Sequence, residues 1–253
     1  MFKTLWTRLK QGHHTSRFPK EAPKLSQRFR GLPMIDSSKC PQGCQDCAQS
    51  CPTDAITLKD SKIKLDLGRC LFCTDCVEAC PEQSISYSQD YRLATTSRVN
   101  LILEEGRILK LAQAADQKIK KTFGRSLKLR QVSAGGCNGC EVETNVLNTL
   151  VFDLGRFGIQ FVASPRHADG LLITGPVTEN MELALKKTYD AVPSPKIVIA
   201  VGACAISGGP YIHHPQVHNG ADSTVPVDLY IPGCPPHPFT ILDGLLRFLD
   251  NLK

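Results

Sequence analysis

Short apolar runs alternate with amphipathic stretches through the second half of the chain. The apolar runs predict strands at residues 127–132, 159–163, 170–174, 196–201 and 228–231. The amphipathic stretches predict helices at residues 141–154, 180–192 and 239–252. Residues 197–201 are apolar throughout, as expected of a strand in a parallel sheet that is covered on both faces. The alternation therefore predicts a doubly wound α/β fold built on a parallel sheet.

The N-terminus has a different pattern. Residues 1–10 place apolar side chains at helical spacing, with Lys3, Arg8 and Lys10 beside them; the apolar positions are Phe2, Leu5, Trp6 and Leu9. Two interpretations stay open: a surface helix packed on the protein's own core, or an interfacial helix on a membrane or a membrane subunit with Trp6 at the boundary. Residues 11–39 have little periodicity and are predicted to be an extended connector.

Between these parts lies a helical pattern over residues 99–121. It is interrupted at Gly106 and closed by Gly124. We interpret it as a linker helix and therefore place a domain boundary here. Short strands are also predicted at residues 55–58 and 84–87.

Composition narrows the class of protein. The chain has 253 residues, 42% of them hydrophobic and 21% charged, which is ordinary for a soluble protein. No apolar run approaches the roughly 20 residues of a membrane-spanning helix, and the N-terminus has no secretory or twin-arginine signal. We therefore expect an intracellular chain with reduced cysteines. Twelve cysteines in that setting indicate metal binding rather than disulfides.

The net charge of +6 is concentrated near the N-terminus, where the first 40 residues carry nine basic and two acidic side chains. Such a segment is a solvated tail, a nucleic-acid arm or a membrane-surface anchor. The basic residues lack the interleaved aromatics of an RNA-binding segment, so we expect no nucleic-acid partner.

Residues 40–88 contain an internal repeat of cysteines, each half ending in Cys-Pro. In ferredoxin runs of this kind the first three cysteines bind one four-iron cluster and the fourth binds the other. That rule predicts one cluster on Cys40, Cys44, Cys47 and Cys80, and a second on Cys51, Cys70, Cys73 and Cys76. Structural zinc is the alternative, but zinc gives no reason for two runs of four cysteines that each end in Cys-Pro.

The first run departs from the rule at one point. Three residues separate Cys40 from Cys44 instead of two. Gly43 is expected to relax the loop around the extra residue, which would shift the potential of that cluster.

Four further cysteines follow predicted strands in the second half. Cys137 and Cys140 come after residues 127–132, Cys204 after 196–201 and Cys234 after 228–231. Ligands of doubly wound folds gather outside the carboxyl ends of the strands. We therefore expect these four cysteines to converge on a third cluster.

The resulting division is a basic helix and connector at 1–39, a small α+β 2[4Fe–4S] ferredoxin-like domain at 40–90, a linker helix at 91–125 and a cluster-binding α/β domain with a flavodoxin-like sheet at 126–253. Together these domains would hold three [4Fe–4S] clusters.

Two resemblances cover most of the chain. Residues 1–88 resemble the ferredoxin-type subunit of complex I and of its relatives, the membrane-bound nickel–iron hydrogenases, including the stretches Phe18-Pro19 and Phe29-Arg30-Gly31. The C-terminal domain resembles the small subunit that carries the proximal cluster of the same complexes, which corresponds to the 20 kDa subunit of complex I. The segments that match there are residues 135–141, 164–169, 202–204 with 207–209, and 232–236. The chain thus resembles two subunits fused into one polypeptide.

The spacing of Cys137 and Cys140 distinguishes two branches of this family. The complex I subunit has adjacent cysteines at this place, whereas hydrogenase-type small subunits have C-x-x-C. The sequence therefore favours the hydrogenase branch and is similar to the formate-hydrogenlyase type. Two alternatives remain: a quinone-reducing, complex I-like enzyme, and a hydrogenase-related complex whose large subunit has lost its nickel ligands.

The resemblance implies an electron-transfer subunit without turnover of its own and without a small-molecule substrate. Its partners would be a nickel–iron (or complex I-like) large subunit and subunits of a membrane arm. It would lie peripherally on the cytoplasmic side of the cell membrane.

Three further residues are candidates for proton transfer or cluster tuning. Glu141 opens a predicted helix, where the helix N-terminus alone explains an acid; by resemblance it would also pass protons toward the partner. Arg166 and His167 follow a predicted strand, and by resemblance they lie near the third cluster. There a cation would favour the reduced state, and His167 would couple reduction to protonation. Other histidines, among them His218, are interpreted as surface residues without carboxylates at ligand spacing.

Overall fold

The computed structural model describes residues 2–59, 62–106, 109–112, 122–123 and 126–250. Part of the predicted linker helix, residues 107–108 and 113–121, lies outside these ranges. Within the described part, no helix is both long and apolar enough to cross a bilayer.

Among the described residues up to 104, the chain folds as two small antiparallel sheets with three short α-helices. Helix α1 (Phe2–Gln11) precedes the connector, and α2 (Asp46–Gln49) and α3 (Asp75–Glu78) each carry one cysteine of the repeat. Strand β1 (Pro33–Ile35) pairs with β4 (Ile85–Tyr87), and β3 (Lys62–Asp66) pairs with both β2 (Ile56–Lys59) and β5 (Ile102–Glu104). This arrangement is the small α+β unit predicted from the repeat.

The predicted helix over residues 99–121 is wrong at its start. Arg98–Leu101 forms a 3₁₀ turn, and β5 then extends the sheet by pairing Leu103 with Leu65. Within β5, Leu103 is buried and its neighbours Ile102 and Glu104 are half-buried, which is the alternation of a half-buried strand. The pairing of β5 with β3 outweighs the helical pattern.

The C-terminal domain is a five-stranded parallel sheet. Its strands are β6 (Leu127–Ser133), β7 (Ile159–Phe161), β8 (Gly170–Thr174), β9 (Ile197–Val201) and β10 (Leu229–Ile231), in the order β10-β9-β8-β6-β7. Within the domain this is the flavodoxin-like order 2-1-3-4-5. The predicted fold is therefore confirmed, and the strand order reverses between β6 and β8, where a ligand crevice is expected.

Four helices accompany the sheet: α4 (Gly139–Val146), α5 (Glu179–Ala191), α6 (Ala203–Ser207) and α7 (Pro238–Phe248). Helix α4 ends well before the predicted Leu154. Its last turn tightens, with the amide of Leu147 donating to the Thr144 carbonyl at 3.2 Å. Asn145 and Asn148 lie at this point, and asparagine has a low helix propensity because its side chain competes for backbone hydrogen bonds.

Both faces of the parallel sheet are buried, and side chains of each strand alternate between them. On β8, Ile173 packs in a cluster that continues into the small N-terminal sheets through Leu65, whereas Leu172 packs with Leu245 of α7 on the other face. The hydrophobic cluster that contains Leu65 and Ile173 is therefore a core shared by the C-terminal domain and the N-terminal unit.

Hydrogen bonds reinforce this junction. Thr95 pairs with Tyr230 of β10 through reciprocal backbone bonds of 3.0 and 2.8 Å. Ser207 Oγ, which is buried, donates to the Gly68 carbonyl at 2.8 Å. The loop before the second half of the cysteine repeat thereby lies against the helix that carries Cys204.

Candidate metal centres

All twelve cysteines are free thiols, and the fold assembles them into three groups. In the first group, the pKa of Cys47 is raised to about 11, mainly by burial and then by the nearby thiols, among them those of Cys80, Cys40 and Cys44. Cys40 likewise has a raised pKa, from burial first and then from Cys44 and Cys80. Four thiols from both halves of the repeat therefore lie close enough to interact electrostatically.

The second group combines Cys51 with Cys70, Cys73 and Cys76. Burial raises the pKa of Cys70 to about 12, with smaller increases from Cys76 and Cys51. The pKa of Cys76 is raised in the same way by burial and then by Cys73 and Cys51. Tyr87 on β4 lies beside this group, with its hydroxyl 3.7 Å from Cys70 Sγ.

The third group lies at the carboxyl edge of the parallel sheet. Burial raises the pKa of Cys204 to about 12, followed by the effects of Cys234 and Cys137. The pKa of Cys140 is raised by burial and then by Cys204, Cys234 and Cys137. Cys137 and Cys234 are exposed, whereas Cys204 is buried, so one side of this group faces outward.

Gly202 is required by the close packing of the third group. Its φ of +90° is one that other residues rarely adopt, and a Cβ there would lie 2.4 Å from Cys140 Sγ. The loops after β6 and β9 therefore approach each other only because position 202 has no side chain.

Backbone amides point at several sulfurs. Ala55 donates to Cys51 Sγ at 3.2 Å, and Ser84 donates to Cys80 Sγ at 3.3 Å, so both Cys-Pro turns of the repeat use the same contact. Such donors stabilise thiolates and tune the potential of a cluster. Three sets of four partly buried thiols, with amide donors in the repeat, fit four-iron clusters in ligand number and ligand type.

The three groups are adjacent in series. The Cys76 thiol of the second group raises the pKa of Cys47 in the first group. The Cys73 thiol of the second group likewise raises the pKa of Cys234 in the third group. The second group therefore lies between the other two.

Glu141 is buried beside the third group, and its charge raises the pKa of both Cys140 and Cys204. Its Oε1 accepts hydrogen bonds from Ser133 Oγ at 2.6 Å and Thr174 Oγ1 at 2.7 Å. These donors come from the ends of β6 and β8, where the strand order reverses. The carboxylate is held in one position, which the sequence did not indicate.

Arg166 and His167 lie in a 3₁₀ turn, Pro165–His167, that packs against α5. Both side chains are exposed. Within the described residues neither makes a hydrogen bond or an ion pair through its side chain, so their predicted effect on the third cluster stays a prediction.

His218 lies in a loop, as predicted, and is half-buried; the fold also brings two carboxylates to it that no sequence spacing indicated. Its Nε2 lies 2.9 Å from Glu179 Oε2 and 3.8 Å from Glu182 Oε2 on α5. The partners are far apart in sequence, so no local spacing indicates the pair. The contact fastens the loop after Cys204 to the helix.

The fold and the thiol groups define an α/β electron-transfer protein with cysteine-ligated metal centres. Residues 137–248 match the family model of the NADH ubiquinone oxidoreductase 20 kDa subunit, and residues 32–81 match the 4Fe–4S dicluster domain. A probable membrane-bound hydrogenase subunit of Pyrococcus furiosus is 45% identical over 132 residues, which are 52% of this chain and 79% of that protein.

Two other relatives match over a similar share of the chain. Formate hydrogenlyase subunit 7 of Escherichia coli is 47% identical over 53% of this chain, which spans 52% of that protein. A subunit of the NADH-quinone oxidoreductase of Clostridium beijerinckii is 46% identical over 45% of this chain and 68% of its own length. The chain therefore belongs to the 20 kDa subunit family, with a dicluster domain in front, and is an iron–sulfur electron-transfer subunit of an oxidoreductase complex.

Proposed function

We propose that this chain conducts electrons through three [4Fe–4S] clusters to or from the catalytic large subunit of a membrane-associated nickel–iron hydrogenase complex. When bound, the clusters supply one-electron transfer. The ligands are the three thiol groups in the assignment given by the cysteine repeat and the strand ends. The observation that carries the proposal is the serial proximity of these groups: the Cys76 thiol raises the pKa of Cys47, and the Cys73 thiol raises the pKa of Cys234.

The chain's own residues would do three things for this function. Burial of Cys47, Cys70 and Cys204 excludes water from the centres. Amide donors such as those of Ala55 and Ser84 stabilise the negative sulfurs. Proton transfer or cluster tuning is assigned to Glu141, Arg166 and His167.

The four-part domain division is also included in this proposal: 1–39, 40–90, 91–125 and 126–253. The shared core supports a ferredoxin-like domain that stays docked on the C-terminal domain, and the Thr95–Tyr230 pairing holds the segment that follows residue 90 to the same domain.

A large subunit would cover the outward side of the third group. Cys137 and Cys234 are exposed there, and Val142 on the neighbouring helix is 56% exposed. Exposed apolar residues beside a redox centre fit a protein interface better than water. Because Cys137 and Cys140 are separated by two residues, and two relatives are named as subunits of a membrane-bound hydrogenase and of a formate hydrogenlyase, we favour a nickel–iron partner.

The second candidate is a complex I-like enzyme that reduces quinone, favoured by the similarity to the NADH-quinone oxidoreductase relative. A hydrogenase-related complex without nickel is the third. The distinguishing experiment is purification of the intact complex through a tag on this chain, followed by metal analysis and two assays. Nickel and hydrogen evolution from a reduced viologen are expected. Quinone reduction by a complex without nickel would support the second candidate. A nickel-free complex that neither evolves hydrogen nor reduces quinone would support the third.

Helix α1 favours a peripheral position on the cytoplasmic membrane surface, next to membrane-arm subunits. No residue of α1 is buried, and its apolar side chains are exposed: Phe2 by 90%, Leu5 by 53%, Trp6 by 63% and Leu9 by 78%. Packing on the protein's own core is therefore contradicted. An apolar stripe flanked by Lys3, Arg8 and Lys10 is suited to a membrane interface.

A further inference from the structure

A cavity of about 310 Å³ lies where the second and third thiol groups meet. Phe72, from the loop between Cys70 and Cys73, and Cys234 both line it. The connector contributes Phe29 and Arg30 to the same wall. Two residues far upstream of either cysteine loop therefore reach the gap between the two groups.

Arg30 contacts the loop of the second group. Its Nη1 donates a hydrogen bond to the Phe72 carbonyl at 2.7 Å. The Phe72 amide in turn donates to Cys70 Sγ at 3.3 Å, and the Phe72 backbone has a φ of +55°. A non-glycine residue keeps such a backbone only where its surroundings hold it. The guanidinium of Arg30 is one of the groups that do so.

Phe29 contacts the loop of the third group. Its ring meets the His237 ring edge to face, with centroids 5.3 Å apart. His237 follows Cys234 by three residues and is itself fixed, because its Nδ1 accepts a hydrogen bond from the Phe239 amide at 3.1 Å. Its ring also stacks on that of Phe239. Adjacent connector residues thus hold one loop each.

The connector backbone is itself anchored at this place. Gln89 Nε2 donates to the Phe29 carbonyl at 2.9 Å, and the Gly31 amide donates to the Ser88 carbonyl at 2.8 Å. A Cβ on Gly31 would lie 2.3 Å from the Asp90 carbonyl oxygen. The segment is consequently pressed against the β4 end of the ferredoxin-like domain while its side chains reach across to the C-terminal domain.

We propose that Phe29 and Arg30 are positioning residues that set the separation between the second and third clusters, acting through His237 and the Phe72 carbonyl. This inference rests on the three-cluster assignment proposed above. The step they serve moves one electron, so that one cluster is oxidised and the other reduced, with no bond made and no proton transferred. Neither side chain ligates a cluster, so their removal is expected to change geometry and not iron content.

The test uses the full chain in its complex, with the double variant Phe29→Ala/Arg30→Ala. Wild-type protein with both clusters reduced is expected to show a magnetically split electron paramagnetic resonance signal, because the two spins are close. The double variant should keep all three clusters, lose most of the splitting and transfer electrons between the two clusters at least about tenfold more slowly after flash reduction.

Two single variants sharpen the test. Arg30→Lys retains a donor and should preserve most of the splitting. Arg28→Ala removes the other arginine of the cavity wall, whose side chain makes no hydrogen bond to either loop within the described residues, and should match the wild type. If the double variant kept the wild-type signal splitting and electron-transfer rate, the positioning role would be overturned and the three-cluster assignment would stand. A wild-type complex without a coupled pair would overturn the three-cluster assignment as well.

Discussion

Substituting Gly202 by alanine should remove the third cluster and spare the other two. The new Cβ would lie 2.4 Å from Cys140 Sγ, whereas an ordinary contact begins at 3.4 Å. The sulfur must therefore move by about 1 Å, which is far beyond the roughly 0.2 Å that metal–ligand distances tolerate. With φ +90° and ψ 158°, Gly202 lies in a region that is essentially reserved for glycine, so any residue with a Cβ adds a backbone cost of roughly 1–3 kcal/mol.

Gly43→Ala is the matched control. Gly43 has a φ of +79° and precedes Cys44, but a Cβ there meets no atom within 4 Å. The control also places a Cβ at a positive φ but lacks the collision, so it should be destabilised slightly and keep all its iron. Iron and acid-labile sulfide should fall by about one third in Gly202→Ala, with loss of one paramagnetic signal on reduction. A Gly202→Ala protein with wild-type iron and all signals would refute the assignment of Cys140 to a cluster.

Three further predictions concern charge and the membrane. Glu141→Gln should raise the reduction potential of the third cluster by on the order of tens of millivolts and leave the other two potentials unchanged, because a nearby buried negative charge disfavours reduction. Redox titration measures these potentials. An equal shift in Glu143→Gln would contradict a specific role for Glu141. Deletion of residues 1–10 should release the complex from membranes in flotation assays, and undiminished flotation would exclude α1 as the anchor. Binding of clusters to the cluster-free chain at pH 7 should release protons, and its affinity should increase as pH rises. The reason is that burial raises the pKa of thiols such as Cys70 and Cys204 to about 12 and leaves them protonated. Cluster binding without acidification of the solution would contradict protonated thiols.

The parallel sheet and the placement of its cysteines could be predicted because their signals are local. Strands such as β8 and β9 are apolar or nearly so, and each cysteine follows the strand that positions it. The doubly wound arrangement then follows from the alternation of strands and helices. Ligands of such folds gather outside the carboxyl ends of the strands, and this rule alone predicts that Cys137, Cys204 and Cys234 converge.

Other features depend on contacts that local patterns do not contain. Strand β5 carries apolar residues compatible with a helix, and only its pairing with β3 decides between the two. The partners of Glu141 lie on two strand ends, and Arg30 reaches a carbonyl 42 residues away. Packing of distant segments selects these contacts, so they appear only once the fold is assembled.

Three groups of four cysteines, each holding a [4Fe–4S] cluster, are central to the proposed function. The most direct test is the iron and acid-labile sulfide content of anaerobically prepared wild-type and Cys234→Ser protein, together with their paramagnetic signals on reduction. We expect about twelve of each per wild-type chain and about eight in the variant, with both N-terminal signals retained. Stoichiometric zinc with little iron, or loss of all three signals in Cys234→Ser, would contradict the three-cluster assignment.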